Sequence, residues 1–76
     1  MDSIRLGQMV RFHRRKARLT QAELAKMAGI GKTTVFDLEK GKTSIQLSSI
    51  LSVFKVLNIE IVFCSPIMKV FDKSYE

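Results

Sequence analysis

Apolar residues recur along the chain at helical spacing as far as Leu57, and then the period changes to that of a strand. In the leading segment Leu6, Val10, His13 and Ala17 form one stripe, with Ser3 placed to cap the helix that carries it. A lone His in such a stripe reads as a half-buried packing residue before it reads as a pH switch. Thr20 and Glu23 then make a capping box, in which the hydroxyl accepts from a free amide and the carboxylate reaches back to the Thr20 amide. A second helix is predicted to open near Gln21, carry Leu24, Met27 and Ala28 inward, and end at Gly29, which tolerates a left-handed backbone. A third begins at Gly31 or Lys32 and ends at Gly41. It turns Val35 and Leu38 inward and leaves Lys32, Thr33, Phe36 and Asp37 on the other side. After the loop KTSI, a fourth helix runs from about Leu47 to Leu57, with Leu47, Ile50, Leu51, Phe54 and Leu57 as its apolar stripe and Asn58 as its stop.

Two capped helices joined by a short glycine turn, over Leu19–Lys42, have the spacing of a helix-turn-helix, whose second helix lies in the major groove of DNA. A plain helical hairpin can show the same pattern, so charge has to be weighed beside it. Thirteen Lys and Arg against seven Asp and Glu give a net charge of +6, which favours a polyanionic partner. Arg5, Arg11, Arg14, Arg15, Lys16 and Arg18 stand together with no acid among them, and Lys26, Lys32, Lys40 and Lys42 continue the series. Phosphate contacts of this kind hold a groove-reading helix in register.

Ile59, Glu60, Ile61, Val62, Phe63 and Cys64 are mostly β-branched or aromatic and lie between Asn58 and Pro66, which predicts a strand. An isolated strand needs a partner for its amides and carbonyls. The simplest partner is its own copy across a two-fold axis, which predicts a homodimer with Ile61 and Phe63 in a shared core and Cys64 as buried filler. A two-fold pair of reading helices would then recognise an inverted repeat. The expected organisation is a helix-turn-helix domain over 1–58, a dimerisation strand over 59–64 and a tail over 65–76. In the tail Ile67, Phe71 and Tyr75 repeat at helical spacing, which suits either a short anchoring helix or a disordered terminus.

Size and composition narrow the function classes. A chain of 76 residues removes only about 60% of its unfolded surface from water, so oligomerisation would help its stability. No apolar run approaches the roughly 18 residues of a membrane span, and the opening MDSIRLGQ carries an acid and lacks the apolar core of a signal peptide, so a cytoplasmic protein with no membrane contact is expected. One Cys and one His cannot build a protein-only metal site, and the chain offers no nucleophile with a base and no phosphate loop, so neither cofactor nor enzyme is expected.

Leu19-Thr20-Gln21, Glu23-Leu24-Ala25, Ala28-Gly29, Val35, Leu38-Glu39 and Gly41-Lys42 together resemble the xenobiotic-response-element and phage-repressor helix-turn-helix family, from about Leu6 to Asn58. The ending LNIEIVFC is similar to that of HipB-type antitoxins. The resemblance implies a mainly α, four- to five-helix repressor domain with one C-terminal strand pairing across a homodimer. It implies double-stranded operator DNA as partner, a HipA-type kinase toxin as a second one, and repression of a shared operon. By resemblance, Lys32, Thr33, Phe36 and Asp37 face base edges, while Arg14, Gln21, Thr34, Lys40 and Lys42 meet phosphates. Arg14 would also pair with Glu39, a structural ion pair that orients it. Lys32 suits guanine, Thr33 a base edge or thymine methyl, and Asp37 the amino group of cytosine. Phe36 departs from the polar residue usual there and suits a thymine methyl or a protein contact. A stand-alone repressor without a toxin, and an interaction module that no longer reads DNA, fit the same residues.

Overall fold

Four successive helices stop in the same way, and that repetition sets the architecture. In the computed structural model, which describes residues 1–75, the elements are α1 (Ser3–Lys16), α2 (Gln21–Ala28), α3 (Lys32–Glu39), α4 (Leu47–Val56) and α5 (Met68–Ser74). A left-handed residue follows each of the first four: Arg18, Gly29, Gly41 and Asn58. The amide after it reaches back to a carbonyl in the last turn, as in Ile30 to Ala25 at 3.0 Å, Lys42 to Asp37 at 3.0 Å and Ile59 to Phe54 at 2.9 Å. These closures satisfy carbonyls that a helix end leaves orphaned. Glycine removes the Cβ penalty at two of these positions, and Asn58 and Arg18 adopt the conformation without it.

Helix starts follow the expected chemistry with one correction. Thr20 and Glu23 form the capping box, the hydroxyl accepting from the Glu23 amide at 3.0 Å and the carboxylate from the Thr20 amide at 2.9 Å. The cap of α1 is Asp2, whose carboxylate accepts from the Arg5 amide at 2.8 Å, and Ser3 is the first helical residue. Either residue type caps well, so the choice of residue falls to the position at which the chain enters the helix.

The core is built from Val10 of α1, Leu24 and Ala25 of α2, Val35 and Leu38 of α3, and Val53 and Phe54 of α4, with half-buried Leu6, Met9, Ile50 and Leu57 around it. Gly7 lets α1 lie directly on the backbone of α3: a Cβ there would stand 2.8 Å from the Glu39 carbonyl oxygen and closer still to that of Leu38. His13 is half-buried and donates from Nδ1 to the Met9 carbonyl at 2.7 Å, which is the packing role expected of it. The predicted stripes were too wide. Ala17, Met27, Leu47 and Leu51 are exposed, because short helices in a small domain meet neighbours over one narrow strip.

The segment Ile59–Cys64 forms no strand: among the described residues there is no β-ladder, and only Ile59 packs on the core. A ladder needs a second extended segment, and the rest of the chain is spent on helices. Ile61, Val62, Phe63 and Cys64 are exposed, so Cys64 is not buried filler in the single chain. The tail is helical over α5, with Phe71 and Tyr75 stacked at 5.0 Å between ring centroids. This C-terminal arm makes the molecule long, 41 × 22 × 22 Å, with a radius of gyration of 14.1 Å. A compact chain of this length would have a radius of about 11 Å.

Candidate nucleic-acid interface

Three elements are tied together by one carboxylate. Glu39, near the end of α3 and only 4% exposed, accepts from Arg14 Nε at 2.6 Å, from Arg14 Nη2 at 3.0 Å and from Gln21 Nε2 at 3.1 Å. Arg14 Nη1 also donates to the Leu19 carbonyl at 2.8 Å, closing the α1–α2 turn. The two-pronged guanidinium–carboxylate bond fixes both distance and plane, so it sets the angle at which α3 crosses α1. Three of the five Arg14 donors are used; the other two, and the second hydrogen of the Gln21 amide, have no partner within the described residues. Glu39 thus has a structural role.

Free donors gather beside this lock. The capping box occupies the amides of Thr20 and Glu23, leaving those of Gln21 and Ala22 at the start of α2 without an acceptor in the described chain. Glu23's carboxyl is held below its usual range, first by the Thr20 amide and then by the Thr20 hydroxyl. Arg11, Arg14, Gln21, Phe36, Glu39 and Lys40 line a shallow cleft between α1 and α3. The expected phosphate residues Arg14, Gln21 and Lys40 therefore share one site, and Arg11 joins them. Arg11 stands in the basic series of the sequence with no role assigned to it, and only the packing of α1 beside α3 brings it to this cleft.

The outward face of α3 divides into two halves. Lys32 and Thr33, in its first turn, are exposed, and Gly31 caps the helix without a side-chain bond. In the second turn the Lys40 ammonium lies 5.5 Å from the centre of the Phe36 ring, and Lys42 Nζ lies 3.4 Å from Asp37 Oδ2. The four residues expected to face bases are thus on one face, with two of them engaged by lysines. Thr34 stands apart from the other phosphate candidates, half-buried in a polar cleft with Gly31, Gln46, Ser48 and Ser49 between the starts of α3 and α4. No helix among the described residues is long and apolar enough to cross a membrane.

The helix-turn-helix family pattern HTH_3 matches residues 10–63, which hold α2, α3 and α4 entire and end within the extended arm. An uncharacterised HTH-type transcriptional regulator, y4mF, of Sinorhizobium fredii (strain NBRC 101917 / NGR234) is 38% identical over 61 residues, 80% of either chain. Among solved structures, a chain of a HipA–HipB–O2–O3 complex superposes with a TM-score of 0.77 at 23% identity, over 87% of this chain and 93% of that one. A HipB variant in complex with an O2 20-mer gives a TM-score of 0.77 at 24% identity, over 87% and 92%. At these identities the structural likeness establishes the fold. The family pattern and the regulator identify the lineage: this chain belongs to the helix-turn-helix family of DNA-binding transcriptional regulators.

Proposed function

We propose that the chain is a sequence-specific repressor that binds an inverted-repeat operator as a homodimer, and that it is the antitoxin of a HipBA-type pair, repressing its own operon and neutralising a HipA-type kinase toxin by binding it. The observation that carries the DNA reading is the Arg14–Glu39–Gln21 lock, which presents the outer face of α3 beside a cluster of free donors. Lys32, Thr33, Phe36 and Asp37 enter the major groove. Arg14, Gln21, Thr34, Lys40 and Lys42, joined by Arg11, face the sugar–phosphate backbone. The arm supplies the dimer: Ile59, Glu60, Ile61, Val62, Phe63 and Cys64 pair antiparallel with their own copy, covering Ile61 and Phe63. The likeness to a chain solved as a HipA–HipB–O2–O3 complex supports the kinase partner.

A stand-alone repressor is the second reading, favoured by the 38% identity to an HTH-type transcriptional regulator. Two measurements decide. Footprinting on the chain's own promoter should show a protected inverted repeat, and an unprotected promoter would refute autoregulation. A kinase-like protein encoded beside the gene should co-purify with the chain and lose activity in its presence; an active kinase at saturating antitoxin would leave the stand-alone repressor.

A further inference from the structure

The second turn of α3 holds a contact that the two separate roles assigned to its members do not explain. Asp37 is the third residue from the end of α3, and Lys42 is the residue after left-handed Gly41. The closure of the helix, Lys42 amide to Asp37 carbonyl at 3.0 Å and Gly41 amide to Leu38 carbonyl at 3.1 Å, brings these two side chains together. An apolar contact commonly fills this place in such helix ends. Here it is an ion pair, with Lys42 Nζ 3.4 Å from Asp37 Oδ2 and side chains 54% and 27% exposed. An exposed pair of this kind stabilises by at most about 1 kcal/mol, so its members exchange partners readily. The neighbouring Lys40 is drawn toward Phe36, leaving Lys42 as the cation that answers the Asp37 carboxylate.

We infer that Asp37 and Lys42 are an exchangeable pair coupling base recognition to phosphate contact, a refinement that rests on the proposed DNA reading. A carboxylate entering the groove of a polyanion needs a donor. Cytosine N4 and adenine N6 supply one in the major groove, whereas guanine and thymine present acceptors to the same position. Opposite an amino group, Asp37 accepts from the base and Lys42 swings to a phosphate. Opposite an acceptor, Asp37 keeps Lys42, and one phosphate contact is lost in addition to the missing base contact. Asp37 thereby determines specificity partly through a lysine that touches no base.

The test uses the full chain, its Asp37→Asn, Lys42→Gln and double variants, and two probes: the duplex that the wild type selects from a randomised library and a mixed-sequence duplex of equal length. Binding is measured against salt. In the wild type, log affinity should fall with log salt more steeply on the selected duplex, and Lys42→Gln should remove about one unit of that slope per half-site from this duplex alone. Asp37→Asn frees Lys42 on every sequence. It should steepen the mixed-sequence slope by the same unit, so that lowering salt fourfold gains about 3.5-fold more affinity per half-site than in the wild type, and narrow the ratio between the two duplexes. In the double variant that gain on mixed sequence should vanish. Equal slope loss on both duplexes for Lys42→Gln, or an unchanged mixed-sequence affinity for Asp37→Asn, overturns the coupling. Absence of any selected sequence for the wild type would instead refute the DNA reading itself.

Discussion

Glu39 shows how much a single side chain decides in this domain. Its carboxylate accepts three bonds while nearly buried, and removing its charge leaves Arg14, 12% exposed, without a counter-ion. Loss of one partner from such a pair is expensive, so Glu39→Gln should destabilise the chain by about 3 kcal/mol in chemical denaturation. The resemblance to repressors implied this pair from two residues 25 positions apart, and the structure adds Gln21 as its third member. Lys32 carries the opposite kind of role: exposed and unneeded for folding, it should leave stability unchanged when replaced. If it reads a base, Lys32→Ala costs about 1–3 kcal/mol of operator affinity and relaxes preference at one position, measured by competition among single-base variants. A uniform loss across all duplexes would reassign it to phosphate.

Among the elements, starts and stops were legible because caps are local chemistry. Thr20 with Glu23, Gly29, Gly41 and Asn58 all act within a few residues of themselves. Glu23 gives the α2 start a pH signature. Its carboxyl titrates below its ordinary value when folded, so the stabilisation is present above the unfolded value and is lost as pH falls through the folded one. The stability gap between wild type and Glu23→Gln should therefore close on acidification, and a gap independent of acid pH would show that the charge of the carboxylate adds nothing to the cap. Gly7 was invisible to such reasoning, since nothing near it in sequence announces that α1 lies on the α3 backbone. Gly7→Ala should destabilise by about 3 kcal/mol or more, because the obstruction is main chain of Leu38 and Glu39 that cannot turn aside.

At the scale of the molecule, the arm is the unresolved business of a single chain. The accessible surface is 6111 Å², where a folded chain of 8.7 kDa would present about 4,700 Å². The excess of about 1,400 Å² exceeds the roughly 800 Å² that each partner gives to a stable interface. Val62 and Phe63 are 83% and 72% exposed, and Ile67, Val70, Phe71 and Tyr75 farther along the arm are exposed as well. Sedimentation should find a dimer for the full chain and a monomer for Phe63→Lys, with the helical domain still folded. An unchanged dimer would move the interface away from residues 59–64.

The sequence by itself determined the first four helices, the α2 cap, the glycine turn and the inward positions of α3, because each depends on backbone preference and periodicity within a few residues. Tertiary structure decided what depends on which surfaces meet. It narrowed the buried stripes to the strips that touch, gathered Arg11, Arg14, Gln21 and Lys40 at one cleft, and set Lys42 against Asp37. It also left the β-prone arm without a ladder, since strand propensity becomes a strand only when a second backbone supplies the missing donors and acceptors.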